Sequence, residues 1–166
     1  LPDIIRPIEL GQDDVVLGSR LLGSNPVRQG MPWWKYVGNR FLTGVQNAVF
    51  GLKLSEYHSG YRAFSREALE AVNFQMNSDN FIFDQEILAQ AIDLKMRIHE
   101  VPVPTRYFPA ASSASFLQSV IYGLSILWLL AKYVFHRTGI LRQRQFESLQ
   151  RRYSSGAEPQ ESKPSP

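Results

Sequence analysis

The chain has 166 residues, of which 44% are hydrophobic and 20% are charged. This composition is typical of one globular domain and unlike that of disordered or collagen-like chains. The absence of cysteine excludes a disulfide scaffold, a thiolate zinc site and a cysteine nucleophile. The chain starts at Leu1 without a basic-then-apolar leader, so we expect no signal peptide, and we expect a further N-terminal part of the protein.

The formal net charge of +3 is unevenly distributed. Residues 1–131 contain eleven Lys and Arg against twelve Asp and Glu, a net of −1, whereas residues 132–166 contain seven against three, a net of +4. Nucleic-acid binding requires a basic patch on the folded body, so we predict no nucleic-acid partner. A basic tail after an apolar helix is better suited to an anionic membrane surface.

In the first third of the chain, the pattern predicts a strand, a loop and a helix. Residues 14–18 are a short apolar run that ends at Gly18, which indicates a buried strand. Gly and Pro recur through 21–32 without periodicity, which predicts a mobile loop. From 33 to 50, apolar residues return at helical spacing, and Gly51 is a suitable stop.

Strands and helices then alternate. Residues 61–64 predict a short strand, and Ser65 can cap a helix over 66–72. Residues 80–96 predict a helix, and 97–103 predict a strand whose prolines place its end at a sheet edge. This alternation indicates an α/β fold with a mixed sheet.

A long apolar segment follows. Residues 107–131 contain no charged side chain, and 120–131 are nearly all apolar, which is marginal for a span of about 20 apolar residues. The polar residues recur at helical intervals, opposite Leu, Ile, Trp and Phe; they are Gln118, Tyr122, Ser125, Lys132 and His136. This amphipathic pattern, with basic residues after it, favours a helix in the plane of a membrane surface. An ordinary packing helix and a membrane span remain alternatives.

Familiar catalytic signatures are missing, and four short motifs remain. There is no phosphate-binding loop, no dinucleotide-binding glycine pattern and no nucleophile elbow. The motifs are Val16-Leu17-Gly18-Ser19-Arg20, Glu56-Tyr57-His58-Ser59-Gly60-Tyr61-Arg62, Phe83-Asp84-Gln85-Glu86-Ile87 and Glu100-Val101-Pro102-Val103-Pro104. In this order and spacing, they resemble the second half of a family 2 glycosyltransferase catalytic domain. The likeness covers about residues 10–137 and is greatest to the dolichol- and polyprenyl-phosphate sugar synthases.

The resemblance implies part of a nucleotide-diphospho-sugar transferase (GT-A-like) mixed sheet and an inverting transfer from a nucleotide-sugar donor. In that family an Asp-x-Asp motif holds the donor diphosphate through a divalent metal, Mg²⁺ or Mn²⁺. This sequence has no Asp-x-Asp, so we expect the metal ligands outside this chain and an inactive chain on its own. We assign 1–111 to the catalytic domain, 112–153 to a membrane-associating helix with its basic segment, and 154–166 to a disordered tail.

Four cations are candidates for binding an acceptor phosphate. Arg20 follows a strand end, where ligand sites of α/β sheets collect, and a guanidinium there can clasp a phosphate in a bidentate manner. The resemblance links this arginine to the lipid acceptor's phosphate; the alternative is a surface arginine paired with a carboxylate. Lys35 and Arg40 are five apart on a helix, so we expect only one of them to serve. Arg106 follows the last strand and precedes a serine-rich loop that can equally cap the next helix.

The second motif supplies residues that position the substrate. Glu56 is expected to position the sugar or to orient Arg62, and an Arg–carboxylate pair that only holds the loop is an equal alternative. Ser59 and Gly60 allow a tight turn. His58 stands where relatives carry a small hydroxyl residue, which suggests a subgroup with its own substrate.

Asp84 and Glu86 are the candidate catalytic carboxylates, because an inverting transfer needs a base or a negative partner near the attacking oxygen. On a helix they point about 200° apart. We expect Asp84 to share an inward stripe with Leu88, and Glu86 to lie on a solvated stripe. Asp84 is therefore favoured, with a helix cap as its alternative role.

The expected function is transfer of a sugar from a nucleotide-sugar donor to a polyprenyl or dolichyl phosphate. The expected location is the cytoplasmic face of a membrane, with peripheral or monotopic attachment. One alternative keeps the fold and changes the acceptor to a sugar hydroxyl or another small molecule. Another is a membrane-docking module without catalysis.

Overall fold

The fold is built on a three-stranded mixed sheet, seen in a computed structural model that describes residues 2–23, 26–104 and 115–147. The elements in chain order are α1 (Pro2–Glu9), β1 (Val15–Ser19), α2 (Trp33–Phe50), β2 (Arg62–Phe64), α3 (Arg66–Ala71), α4 (Phe83–Asp93), β3 (Ile98–Pro102) and α5 (Phe116–Arg137). Short 3₁₀ turns cover Phe74–Met76 and Arg144–Phe146. The predicted α/β class with a mixed sheet is confirmed for this part of the chain.

β1 is the central strand and is buried along its whole length. It pairs antiparallel with β2, where Leu17 lies opposite Arg62, and parallel with β3, where Ser19 lies opposite Pro102. The three predicted strands are confirmed, and β3 lies at the sheet edge as its prolines indicate. The ends of β1 and β3 therefore meet at one edge of the sheet.

α2 begins and ends where the sequence predicts. Gly51 ends the helix in the left-handed conformation (φ 72°), and its N–H donates to the carbonyl of Asn47. The buried side chains of α2 are polar, namely Asn39, Thr43 and Gln46. Its apolar spacing does not mark a buried face, because the opposite side of the helix carries exposed apolar residues.

The middle helices start with local caps. The Ser65 hydroxyl accepts from the N–H of Ala68, so the predicted cap of α3 is confirmed. α4 is shorter than predicted, because Asn80 forms a turn before it: its side chain accepts from the N–H of Ile82. α4 ends before Lys95, which has a positive φ of 58°.

α5 lies beside α2 and runs in the same direction. Ring contacts join the helices at both ends, Trp34 with Phe116 at 5.2 Å between centroids and Phe50 with Tyr133 at 5.0 Å. Ser115 begins α5 with a capping box, which confirms its alternative role as an N-cap. The buried side of α5 contacts α4 through a cluster that includes Ile126, Leu129 and Ala89.

Three residues of the polar stripe of α5 contact the rest of the protein. Tyr122 accepts from Gln85, Lys132 donates to Gln145, and His136 lies against Asp93. Other apolar side chains of α5 and of the neighbouring helix α2 are exposed. We call them the α2/α5 apolar surface; they are Trp33, Val37, Phe41, Phe116, Leu117, Val120, Ile121, Leu124, Leu127 and Trp128.

Candidate functional site

The candidate site lies where β1 ends, against residues 55–60, which we call the 55–60 loop. The hydroxyl oxygens of Ser19 and Ser55 are 2.6 Å apart. Glu100 of β3 accepts from the backbone N–H of Ser55 (2.9 Å) and from its hydroxyl (2.7 Å). The two strand ends thus fix the start of the loop.

Glu56 holds Arg20. The carboxylate accepts from the backbone N–H of Arg20 (2.8 Å), from its Nε (2.9 Å) and from one terminal nitrogen, and also from the Asn39 amide at 2.8 Å. Burial acts to raise the pKa of Glu56, but the hydrogen bonds and charge of Arg20, helped by Asn39, hold it below its usual value. The prediction that Glu56 orients Arg62 is wrong, because its partner is Arg20.

Arg62 holds the other end of the loop through backbone oxygens. Its guanidinium donates to the carbonyl of Tyr57 (2.7 Å), to that of Ser59 (2.9 Å) and to that of Asp84. The Ser59 hydroxyl accepts from the N–H of Tyr61 at 3.2 Å. Ser59 and Arg62 therefore shape the loop, and they tie it to the first turn of α4.

His58 lies inside the loop against α5. Its ring meets the Tyr122 ring edge to face, with centroids 6.1 Å apart. Within the described part of the chain, neither buried ring nitrogen has a hydrogen-bond partner. Burial lowers the pKa of His58 to about 4, against an opposing effect of the Glu56 carboxylate. His58 is therefore neutral at physiological pH.

The structure reverses the expected burial of the two acidic candidates. Asp84 is exposed in the first turn of α4, and its Oδ2 is 3.8 Å from where a Cβ on Gly60 would lie. Glu86 is only 2% exposed; it accepts from the N–H and hydroxyl of Ser78 and lies 3.6 Å from Lys132 Nζ. Asp84 thus borders the site, and Glu86 belongs to a separate buried ion pair. Ile82, not Asp84, occupies the cap position of α4.

Both helical cations lie near the site. Lys35 is close enough to Arg20 that burial and the charge of Arg20 lower its pKa, and its Nζ is 5.2 Å from the Trp34 ring centre. Arg40 donates to the carbonyl of Ser55 at 3.3 Å. Arg40 therefore contacts the 55–60 loop, and Lys35 lies near Arg20. Arg106 lies outside the described residues.

Three residues of this site were missed by the sequence reasoning. Asn39, Gln85 and Tyr122 are polar residues of three different helices, and each bonds to the loop or to a residue that does. The signal available was the polar stripe that contains Tyr122. Their partners are 17 to 37 residues away in the chain, so no local pattern identifies them.

The arrangement is chemically suited to an anion. Four cations lie in this region, namely Arg20, Lys35, Arg40 and Arg62, together with three carboxylates, Glu56, Asp84 and Glu100. In residues 2–23, 26–104 and 115–147, no group of three or more acidic or histidine side chains is placed to hold a metal ion. The described residues therefore do not fit a metal site.

Comparison with known proteins places the chain among glycosyltransferases. It is 32% identical, over 69% of its length, to a low-salt glycan biosynthesis hexosyltransferase of Haloferax volcanii. It is 34% identical, over 63%, to a UDP-N-acetylglucosamine–dolichyl-phosphate N-acetylglucosaminyltransferase of Methanococcus voltae. It is 28% identical, over 54%, to a polyprenol monophosphomannose synthase of Mycolicibacterium smegmatis.

These matches cover only part of each relative. The chain spans 27%, 41% and 34% of the three proteins' lengths, respectively. No protein-family model and no solved structure matches the chain. The resemblance read from the motifs is nevertheless confirmed by these relatives: the chain is related to the family 2 glycosyltransferases and matches part of proteins similar to the dolichyl- and polyprenyl-phosphate sugar synthases.

Proposed function

We propose that the protein containing this chain transfers a sugar from a nucleotide-sugar donor to a polyprenyl or dolichyl phosphate at a membrane surface. The observation that carries the proposal is the group of cations held at the end of β1 by the 55–60 loop. Two relatives are named for activity on dolichyl or polyprenol phosphates. We further propose that the mixed sheet is part of a GT-A-like fold.

Arg20 is the proposed anchor of the acceptor phosphate. Its side chain is 23% exposed, and the fully buried Glu56 side chain fixes its orientation. A planar guanidinium held in this way is prepared for bidentate contact with a phosphate. Lys35 and Arg40 add positive charge beside it.

Asp84 is the proposed positioning carboxylate of the reaction. In the proposed inverting step, an oxygen of the acceptor phosphate forms a bond to the anomeric carbon as the bond from that carbon to the nucleoside diphosphate breaks. The acceptor phosphate is already ionised, so Asp84 orients it and does not need to remove a proton. A divalent metal, Mg²⁺ or Mn²⁺, would be held by ligands outside this chain.

The α2/α5 apolar surface is proposed to face the bilayer. An exposed apolar area of this extent is unusual for a protein that contacts only water. Exposed Arg137 and Arg142 follow at the end of α5 and suit anionic headgroups. α5 is also long and apolar enough to cross a membrane, judged by length and composition alone. Because its polar stripe bonds to α4, we propose a peripheral or monotopic position at the cytoplasmic face.

The test is a screen of nucleotide-sugar donors and acceptors on the intact protein with Mg²⁺ or Mn²⁺ present. Arg20→Ala alone would leave Glu56 buried without its cation, so the double variant Arg20→Ala/Glu56→Gln is compared with wild type. We expect a large rise in acceptor KM with donor KM unchanged. Arg66→Ala, which removes an exposed arginine from α3, is the matched control. Unchanged acceptor kinetics in the double variant would remove Arg20 from the site.

A hydroxyl acceptor is the second candidate, and the exposure of Asp84 favours it. A solvent-facing carboxylate can act as a general base toward a sugar hydroxyl. The same screen separates the two, because free glycans would then be glycosylated and polyprenyl phosphate would not. Transfer to neither acceptor would support a docking module without catalysis.

A further inference from the structure

We propose that Tyr122 is a positioning residue through which α5 holds the 55–60 loop, so that lipid contact at the α2/α5 apolar surface increases affinity for the acceptor phosphate. The inference rests on the proposed function. It adds a residue from the membrane-facing helix to the site and a role for the bilayer beyond attachment.

One buried amide joins Tyr122 to the loop. Gln85 Nε2 donates to the Tyr122 hydroxyl oxygen at 3.0 Å and to the carbonyl of Tyr57 at 2.7 Å. Gln46 of α2 donates to Gln85 Oε1 at 2.9 Å, which fixes the orientation of the amide. The Gln85 side chain, which is 1% exposed, thus joins Tyr122 of α5 and Gln46 of α2 to the loop.

The Tyr122 ring also restrains His58. Since neither ring nitrogen of His58 has a hydrogen-bond partner among the described residues, the imidazole is oriented by packing, and Tyr122 is an edge-to-face neighbour. The charges of Glu56, Arg20 and Arg62 all act on His58, so its ring lies near Arg20, the proposed phosphate anchor. Displacement of Tyr122 would therefore disturb the loop between Glu56 and Arg62.

Tyr122 and the lipid-facing residues belong to one continuous helix. Tyr122 points toward Gln85, whereas Ile121 and Leu124, one and two residues away in the sequence, are exposed. A helix moves as a unit, so the depth and tilt that lipid gives to the outer face are transmitted to Tyr122. Both sites then bias the same element, which is the physical requirement for coupling.

The test uses the intact protein, a short-chain water-soluble polyprenyl phosphate and vesicles of phosphatidylglycerol and phosphatidylcholine. A water-soluble acceptor is used so that its partitioning into the vesicles does not change the measured KM. We expect vesicles to lower the acceptor KM of the wild type by about tenfold, within the usual range of coupling energies. Tyr122→Ala should bind the vesicles as the wild type does and lose this decrease. Tyr133→Phe should keep it, because Tyr133 is a buried tyrosine of α5 whose ring contacts are Phe50 and Phe146 and not His58.

A second measurement does not require activity. Vesicles should slow amide hydrogen exchange in residues 55–60 of the wild type by about fivefold, the lower end of the coupling range, and should not do so in Tyr122→Ala. If Tyr122→Ala does not fold, Tyr122→Phe, which loses only the hydroxyl, should give a response at least about twofold weaker than wild type. An equal vesicle response in wild type and the Tyr122 variant overturns the inference. If no sugar transfer occurs but vesicles still protect residues 55–60 from exchange in a Tyr122-dependent way, only the proposed function is overturned.

Discussion

Removal of two side chains from the α2/α5 apolar surface is expected to detach the protein from membranes. Leu124 is 61% exposed and Trp128 is 65% exposed, so most of each side chain is available to lipid. Complete burial of a large apolar side chain is worth about 1.5–3 kcal/mol. In proportion to the exposed fractions, Leu124→Ala and Trp128→Ala each forfeit about 1–2 kcal/mol, and the pair about 2–4 kcal/mol.

The double variant should therefore bind vesicles at least about 30-fold more weakly, since 1.4 kcal/mol corresponds to a factor of ten. The assay is flotation of the intact protein with vesicles that contain phosphatidylglycerol. Leu69→Ala is the matched control, because Leu69 is an exposed leucine of α3, outside this surface. Its binding should equal that of wild type.

The result that would refute the reasoning is a double variant that binds within about threefold of wild type, because the predicted loss is tenfold larger. If an alkaline carbonate wash releases neither the wild-type protein nor the variant from the membrane, this would instead indicate that α5 spans it. Salt dependence offers a further check. Attraction between the basic residues and anionic lipid should weaken at high salt, while the apolar contribution should remain.

Substitutions at Gly18, Glu56 and Lys132 test the interior. A Cβ on Gly18 would lie 2.7 Å from the Tyr61 ring and 2.8 Å from Val103, so Gly18→Ala should lower the free energy of unfolding by about 1–3 kcal/mol in urea titration; Gly44→Ala, in open space on α2, should raise it by up to about 1 kcal/mol. Because the pKa of Glu56 is lowered on folding, its contribution to stability is complete above its ordinary value of 4.5 and is lost as pH falls through the folded pKa. Glu56→Gln should therefore flatten the fall of Tm below pH 4.5. Lys132→Met should cost about 3 kcal/mol because Glu86 stays buried, and adding Glu86→Gln should restore most of it.

Elements with local signals were predictable from the sequence. Gly51 ends α2 because it alone accepts the left-handed conformation at little cost, and Ser65 and Ser115 begin α3 and α5 as side-chain caps. β1 is a continuous apolar run because both faces of a central strand are covered. In each case, the determinant lies within a few residues of the element that it fixes.

The roles of Asp84 and Glu86 were not predictable, because periodicity assumes that a helix has one buried side. α4 lies between the sheet and α5, and its residues 85–91 are all buried. In a helix that is covered on nearly all sides, apolar spacing no longer indicates direction. The predicted inward stripe of Asp84 and Leu88 is only one of several stripes along this covered helix. Glu86 is buried because Ser78 and Lys132 compensate its charge.

The direction of α5 shows the same limit in its most consequential form. Its sequence predicts an amphipathic helix in the plane of a membrane surface, but the pattern does not identify what the polar stripe contacts. In the structure, Gln85, Gln145 and Asp93 supply partners for Tyr122, Lys132 and His136. The buried side of α5 combines these contacts with the packing of Ile126, Leu129 and Leu130, so polar partners and apolar burial together fix its orientation. Other apolar residues of α5 are exposed, as are apolar residues of α2, and we propose a lipid surface as the environment in which that arrangement gains free energy.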